Sequence, residues 1–187
     1  MKVLIVDNFD SFTYNLYHIV SQFVDKCDVV RVDCIPNIDI DSYNKIILSP
    51  GPSLPSDYPI LFEIIKHFSG TKSILGICLG PQAIAQYFGA SIKNMDRVKH
   101  GVSSENTILL EDPIFYKVPN IFTIGHYHSW IVDNNNLPST INITSKNEDD
   151  IIMSYRHISL DICGLQFHPE SLLTPYGGRI IKNWIES

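Results

Sequence analysis

The sequence contains no Cys-x-x-Cys pair, no run of basic residues, no internal repeat or low-complexity tract, and no apolar stretch near the ~20 residues needed to cross a bilayer. Each absence removes a class of protein. The four cysteines, Cys27, Cys34, Cys78 and Cys163, are widely scattered, which indicates neither a zinc site nor a disulfide scaffold, so reduced thiols are expected. A net charge of −6 without a basic block makes nucleic acid and anionic membrane surfaces poor partners. No clustered His/Cys/Asp set and no phosphate-cradling loop is present, so no metal and no organic cofactor is expected. Met1-Lys2 leads directly into an apolar run rather than a signal peptide, which predicts a cytoplasmic protein. With 44% hydrophobic and only 18% charged residues, the 187-residue chain should fold around a proper core, and no linker divides it: one domain, 1–187, is expected.

The first 90 residues read as βα repeats. Lys2-Val3-Leu4-Ile5-Val6 is a short apolar run of the kind found in buried parallel strands, and Phe12, Leu16, Ile19, Val20 and Phe23 then recur at helical spacing. Ser11 or Thr13 is the expected cap of that helix. Further strands are predicted at 29–32, 45–49 and 73–77, with a helix from Pro59 to about Phe68 and another over 82–88. Beyond Gly89 the pattern changes to short strands at 90–95, 107–110, 121–124, 141–145, 151–155 and 162–167, separated by turns, and a closing helix spans 179–186. The predicted class is α/β: a central, mostly parallel, flavodoxin-like sheet flanked by helices, with a smaller mixed or antiparallel extension.

The strand at 73–77 runs into Gly76-Ile77-Cys78-Leu79-Gly80-Pro81. A strand that turns at once into a helix passes through a cramped backbone, where glycines at 76 and 80 remove Cβ atoms that would collide, and proline suits a first helical turn. Cys78 would sit exposed at the sheet edge, where a helix N-terminus favours a thiolate. The same stretch alone also fits a half-buried structural cysteine. A nucleophilic cysteine needs a base and an orienting group. His168-Pro169-Glu170, at the end of the last predicted strand, supplies both if that strand shares a sheet with 73–77.

Gly-x-Cys-x-Gly-x-Gln at 76–82 together with Gln-Phe-His-Pro-Glu-Ser at 166–171 resembles the glutaminase domain of class I glutamine amidotransferases, over essentially the whole chain. Within that family, 7–16, Ser49-Pro50-Gly51-Pro52 and Tyr127-His128-Ser129-Trp130 are similar to the small subunits of anthranilate synthase and aminodeoxychorismate synthase. The resemblance implies a Cys78–His168–Glu170 triad that hydrolyses glutamine through a thioester. It implies an oxyanion hole from the backbone of Gly51 and Leu79, and glutamine contacts from Gln82, Ser129 and Trp130. It further implies a heteromer with a chorismate-binding synthase subunit that receives ammonia through a channel, in tryptophan or folate synthesis or both.

Two positions depart from the family pattern. Pro81 stands where His is common, and His126 where Arg is common. Neither belongs to the triad. The rival readings are a regulatory subunit that binds glutamine without turning it over, and another cysteine hydrolase such as a γ-glutamyl hydrolase.

Overall fold

The computed structural model describes residues Met1–Ser187. The apolar runs become the parallel strands β1 (Lys2–Asp7), β2 (Lys26–Arg31), β3 (Lys45–Leu48) and β4 (Ser73–Ile77), interleaved with α1 (Thr13–Val20), α2 (Pro59–Phe68) and α3 (Leu79–Tyr87). Then come β5 (Ile92–Ile108), β6 (Ile121–Val132), β7 (Ile141–Asn147), β8 (Ile152–His157), β9 (Ile162–Leu165) and the closing helix α4 (Gly177–Glu186). All nine strands form one sheet in the order β2-β1-β3-β4-β9-β8-β7-β5-β6. The first five in that order are parallel, and from β9 outward every pairing is antiparallel.

The unbroken hydrophobicity of β1 follows from having both faces covered. Val3 and Ile5 pack with Leu16, Val20, Ile181 and Trp184 on the α1/α4 side. Leu4 and Val6 pack with Leu61, Ile65, Ala83 and Ile84 on the α2/α3 side. No helix is long and apolar enough to cross a membrane.

Three local expectations are corrected. The strands foreseen at 90–95 and 107–110 are the two ends of the single 17-residue strand β5. Its middle pairs only with β6, through two register shifts, and is largely solvent-exposed, so it carries no apolar alternation to read. Neither Ser11 nor Thr13 caps α1. Phe12 precedes that helix without a side-chain cap, the Asp10 carboxylate accepts the Phe12 N–H at 2.7 Å, and Thr13 is already helical, its hydroxyl donating to Asp7 at 2.8 Å. The first helix also ends at Val20 rather than near Phe23, because Ser21 and Phe23 close it in turns.

The parallel registers put the carboxyl ends of β1, β3, β4 and β9 at one edge: Val6 lies beside Leu48, Leu48 beside Gly76, and Ile77 beside Leu165. Loops at that edge of an open α/β sheet carry its function. Buried Asn8 ties two of them together, its amide donating to the Ser49 carbonyl at 2.8 Å and its N–H to the Ser49 hydroxyl at 3.0 Å.

Helix α3 meets β3 at Gly80, where an added Cβ would lie 2.4 Å from the Leu48 carbonyl oxygen. Gly80→Ala should therefore lower stability by about 1–3 kcal/mol in chemical denaturation. Gly70→Ala, which meets nothing within 4 Å, should stay within about 0.5 kcal/mol of wild type. Equal effects would refute this packing.

Candidate active site

Between β4 and α3 the chain spends a single residue, Cys78, at φ +56° and ψ −88°. Its N–H donates to the Leu165 carbonyl at 2.8 Å, which joins the turn to β9. A Cβ at Gly76 would lie 2.4 Å from the Pro81 nitrogen, so the reason expected for glycine at 76 and 80 holds. Pro81 is the third residue of α3, a first-turn position where its missing N–H costs no helical bond. Cys78 is not exposed as foreseen. It is 6% accessible and lines two cavities. Phe9 and Ser53, also at positive φ, line those cavities, so three of the five such non-glycine residues gather around one sulfur.

His168 is the third residue after β9 and is 2% exposed. Its Nδ1 is 2.5 Å from Glu170 Oε1, as the spacing across Pro169 anticipates. The turn is pinned from both sides: His168 N–H donates to the Gly125 carbonyl at 3.2 Å, and the Thr174 hydroxyl donates to the His168 carbonyl at 2.7 Å. Nε2 makes no hydrogen bond of standard geometry. Burial is the strongest influence on this imidazole and opposes its charge, yet the Cys78 sulfur and the Glu170 carboxylate outweigh it and hold the pKa well above the ordinary value of 6.5. Tyr127 and Phe12 pack on the ring at centroid distances of 4.9 and 6.1 Å.

One cavity, about 140 Å³, brings together Cys78 and all five residues that the resemblance assigns to glutamine: Gly51, Leu79, Gln82, Ser129 and Trp130. The Gly51 N–H donates no hydrogen bond, and Leu79 opens α3, where N–H groups have no helical acceptor. Gln82 is partly committed already, since its Nε2 donates to the Trp130 carbonyl at 2.8 Å. The second cavity, about 460 Å³, also reaches Cys78 and is walled by Asp10, Phe12, His100, Tyr127 and His168.

Reading the sequence did not assign roles to Gln166, Tyr127 or Asp10. Gln166 is 3% exposed, and its amide approaches the Cys78 carbonyl at 3.4 Å and the sulfur at 3.9 Å. A glutamine interrupting the apolar run 162–167 was the available signal. The Asp10 carboxyl is raised by burial, against the Phe12 N–H and the field of His168.

Because Glu170 raises the His168 pKa, Glu170→Gln should bring it down toward 6.5, the imidazolium then being lost at lower pH. Histidine NMR titration measures this directly. An unchanged titration would mean that Glu170 does not act on the ring.

This geometry agrees with the kinship found by comparison. Residues 4–187 match the family model for glutamine amidotransferase class-I. The chain is 44% identical to the anthranilate synthase component 2 of Pyropia yezoensis, with 98% of each chain covered. It is 39% identical to the aminodeoxychorismate/anthranilate synthase component 2 of Bacillus subtilis, covering 99% of this chain and 96% of that one. A solved structure from Thermoplasma acidophilum, described as part of a GMP synthase, superposes with a TM-score of 0.88 at 25% identity, covering 100% of this chain and 92% of that one. With the family model spanning nearly its whole length, the chain belongs to the class I glutamine amidotransferases.

Proposed function

We propose that this chain is the cytoplasmic glutaminase subunit of a chorismate-using synthase, making ammonia for anthranilate or 4-amino-4-deoxychorismate formation. The observation that carries the reading is the strained Cys78 beside a charge-stabilised His168, at a cavity that Gly51 and Leu79 line. The names of the relatives as component 2 support a partner component.

In this reading the Cys78 sulfur attacks the side-chain carbonyl carbon of glutamine, and the carbonyl electron pair moves to an oxygen held by the two N–H groups. His168 gives its Nε2 proton to the amide nitrogen, the C–N bond breaks, and a glutamyl thioester and ammonia result. A water then loses a proton to the neutral imidazole and attacks the thioester, and glutamate leaves as sulfur is released. Glu170 holds Nδ1–H and keeps Nε2 on the reacting side. Gln82, Ser129 and Trp130 take the α end of the substrate. Ammonia departs on the side of its proton donor, which is the cavity walled by His168, Tyr127 and Phe12, toward a partner that channels it. Delivery through a channel keeps ammonia from becoming ammonium in water.

The test is glutamate release from glutamine by the purified chain, alone and with the anthranilate and aminodeoxychorismate synthase partner subunits of the same organism. Activity should rise with at least one partner and fall by roughly 10³-fold or more in Cys78→Ser. Glu170→Ala should reduce kcat by about 10²- to 10⁴-fold, with KM for glutamine little altered. Folded protein that releases no glutamate with either partner would overturn the proposal in favour of a regulatory subunit.

A further inference from the structure

A chain of two buried glutamines runs from β6 to the nucleophile. Gln82 on α3 and Gln166, the first residue after β9, are each 3% exposed. The Gln82 Nε2 donates to the Trp130 carbonyl on β6 at 2.8 Å and to Gln166 Oε1 at 3.2 Å. The Gln166 Nε2 lies in turn 3.4 Å from the Cys78 carbonyl oxygen and 3.9 Å from the Cys78 sulfur. The main chain of Gln166 is anchored too, its N–H donating to the Met153 carbonyl on β8 at 2.8 Å.

Two main-chain carbonyls decide which end of each amide faces which neighbour. A carbonyl only accepts, so the Gln82 atom on Trp130 is the amide nitrogen. The same nitrogen meets Gln166, whose atom at that contact must accept and is therefore its oxygen. This puts the Gln166 nitrogen on Cys78, where the second carbonyl again requires a donor. Read from either end, the order is the same. Both N–H hydrogens of Gln82 are thereby committed, and its remaining polar atom, the side-chain oxygen, enters no hydrogen bond within the chain. Gln82 lines the cavity that Cys78 also lines, and an oxygen offered there accepts from an ammonium group and repels a carboxylate.

We propose that Gln166 is a positioning residue that joins substrate recognition to the nucleophile. Its oxygen fixes the Gln82 amide so that the Gln82 oxygen is what the α-ammonium of glutamine meets. Its nitrogen supports the Cys78 carbonyl in a turn held at φ +56° and directs an N–H toward the sulfur, where negative charge strengthens such a contact. This rests on the glutaminase reading above.

Three variants test the assignment: Gln166→Met, Gln82→Met and the two combined, each replacing an amide by an unbranched thioether that packs readily. Two rates are read, alkylation of Cys78 by iodoacetamide, followed on the Cys78 peptide by mass spectrometry, and steady-state glutamate release. Gln166→Met should slow the alkylation on the order of tenfold, the loss of about one buried hydrogen bond, whereas Gln82→Met should leave it within about twofold of wild type. Each single variant should raise KM for glutamine on the order of tenfold, and only Gln166→Met should lower kcat as well. In the double variant KM should be no higher than in Gln82→Met alone, because Gln166 reaches the α-ammonium through Gln82. Multiplied effects on KM, or alkylation slowed by both single variants or by neither, would overturn the proposal. A measurement on the wild-type chain guards against misfolded variants: in ¹⁵N NMR the side-chain amide hydrogens of Gln82 and Gln166 should exchange with solvent at least on the order of a hundredfold more slowly than those of the exposed Gln22. Exchange as fast as at Gln22 would refute the chain of hydrogen bonds. A wild-type chain that released no glutamate would count against the function proposed above, while the alkylation and exchange rates would still decide the link from Gln82 through Gln166 to Cys78.

Discussion

The Leu48 carbonyl and the Gly80 backbone leave no space between them, and most of the site's geometry follows from that contact. With α3 pressed onto the end of β3, the chain leaving β4 has one residue in which to reverse, and that residue takes positive φ. Such a conformation costs about 1–3 kcal/mol for a residue with a Cβ. The strand before it offsets this, since Ile74, Leu75 and Ile77 are completely buried, each contributing about 1.5–3 kcal/mol. Pro81 belongs to the same packing. It wedges against Gly76 and Gly164, and its carbonyl accepts the Tyr155 hydroxyl from β8 at 2.5 Å. A side chain that departs from the family pattern is here a structural brace between the nucleophile's helix and the last two strands.

That brace connects the strain at Cys78 to the placement of its partner. β9 returns from the antiparallel extension to lie beside β4, and the Cys78 N–H caps the pairing through Leu165. His168 therefore arrives at the sulfur by strand register, 90 residues along the chain. Once there, water is excluded on most sides, and a sulfur, an imidazole and a carboxylate interact more strongly than at a surface. The effect is visible on His168, where attraction prevails over the penalty of burial.

The legible parts of the sequence were those in which one physical cause acts alone. Buried strands covered on both faces appear as apolar runs, so β1, β3 and β4 could be read within a residue or two. The elbow could be read because glycine, cysteine and proline each answer a different steric demand there. The ribbon of β5 and β6 could not, since its middle is held by backbone pairing and leaves side chains in solvent. A cap of α1 was expected at Ser11 or Thr13 because both carry capping oxygens, but the fold of the 7–12 loop turns Thr13 to Asp7 and gives the Phe12 N–H to Asp10, leaving the helix without a side-chain cap. Gln166 was invisible for a related reason. Its partners, Cys78 and Gln82, are distant in sequence, and burial gives this ordinary polar residue a role.

Three histidines within one neighbourhood show how far environment alone can separate identical side chains. His168 has a carboxylate at Nδ1 and a sulfur opposite, and it is held as an imidazolium. His126 and His128 have the Ser104 hydroxyl and each other, with no anion in hydrogen-bond contact, and burial lowers their pKa values to about 4 and about 3. The charge on His168 itself helps to keep the other two uncharged. A cluster in which several imidazoles shared one proton would make a poor acid, because the proton would reside on the wrong ring for part of the time. Pushing the pKa values apart leaves His168 as the ring that carries and returns the proton at the sulfur. The catalytic imidazole and the two neutral ones beside it are thus distinguished by burial, by the Cys78 sulfur and by one carboxylate, Glu170.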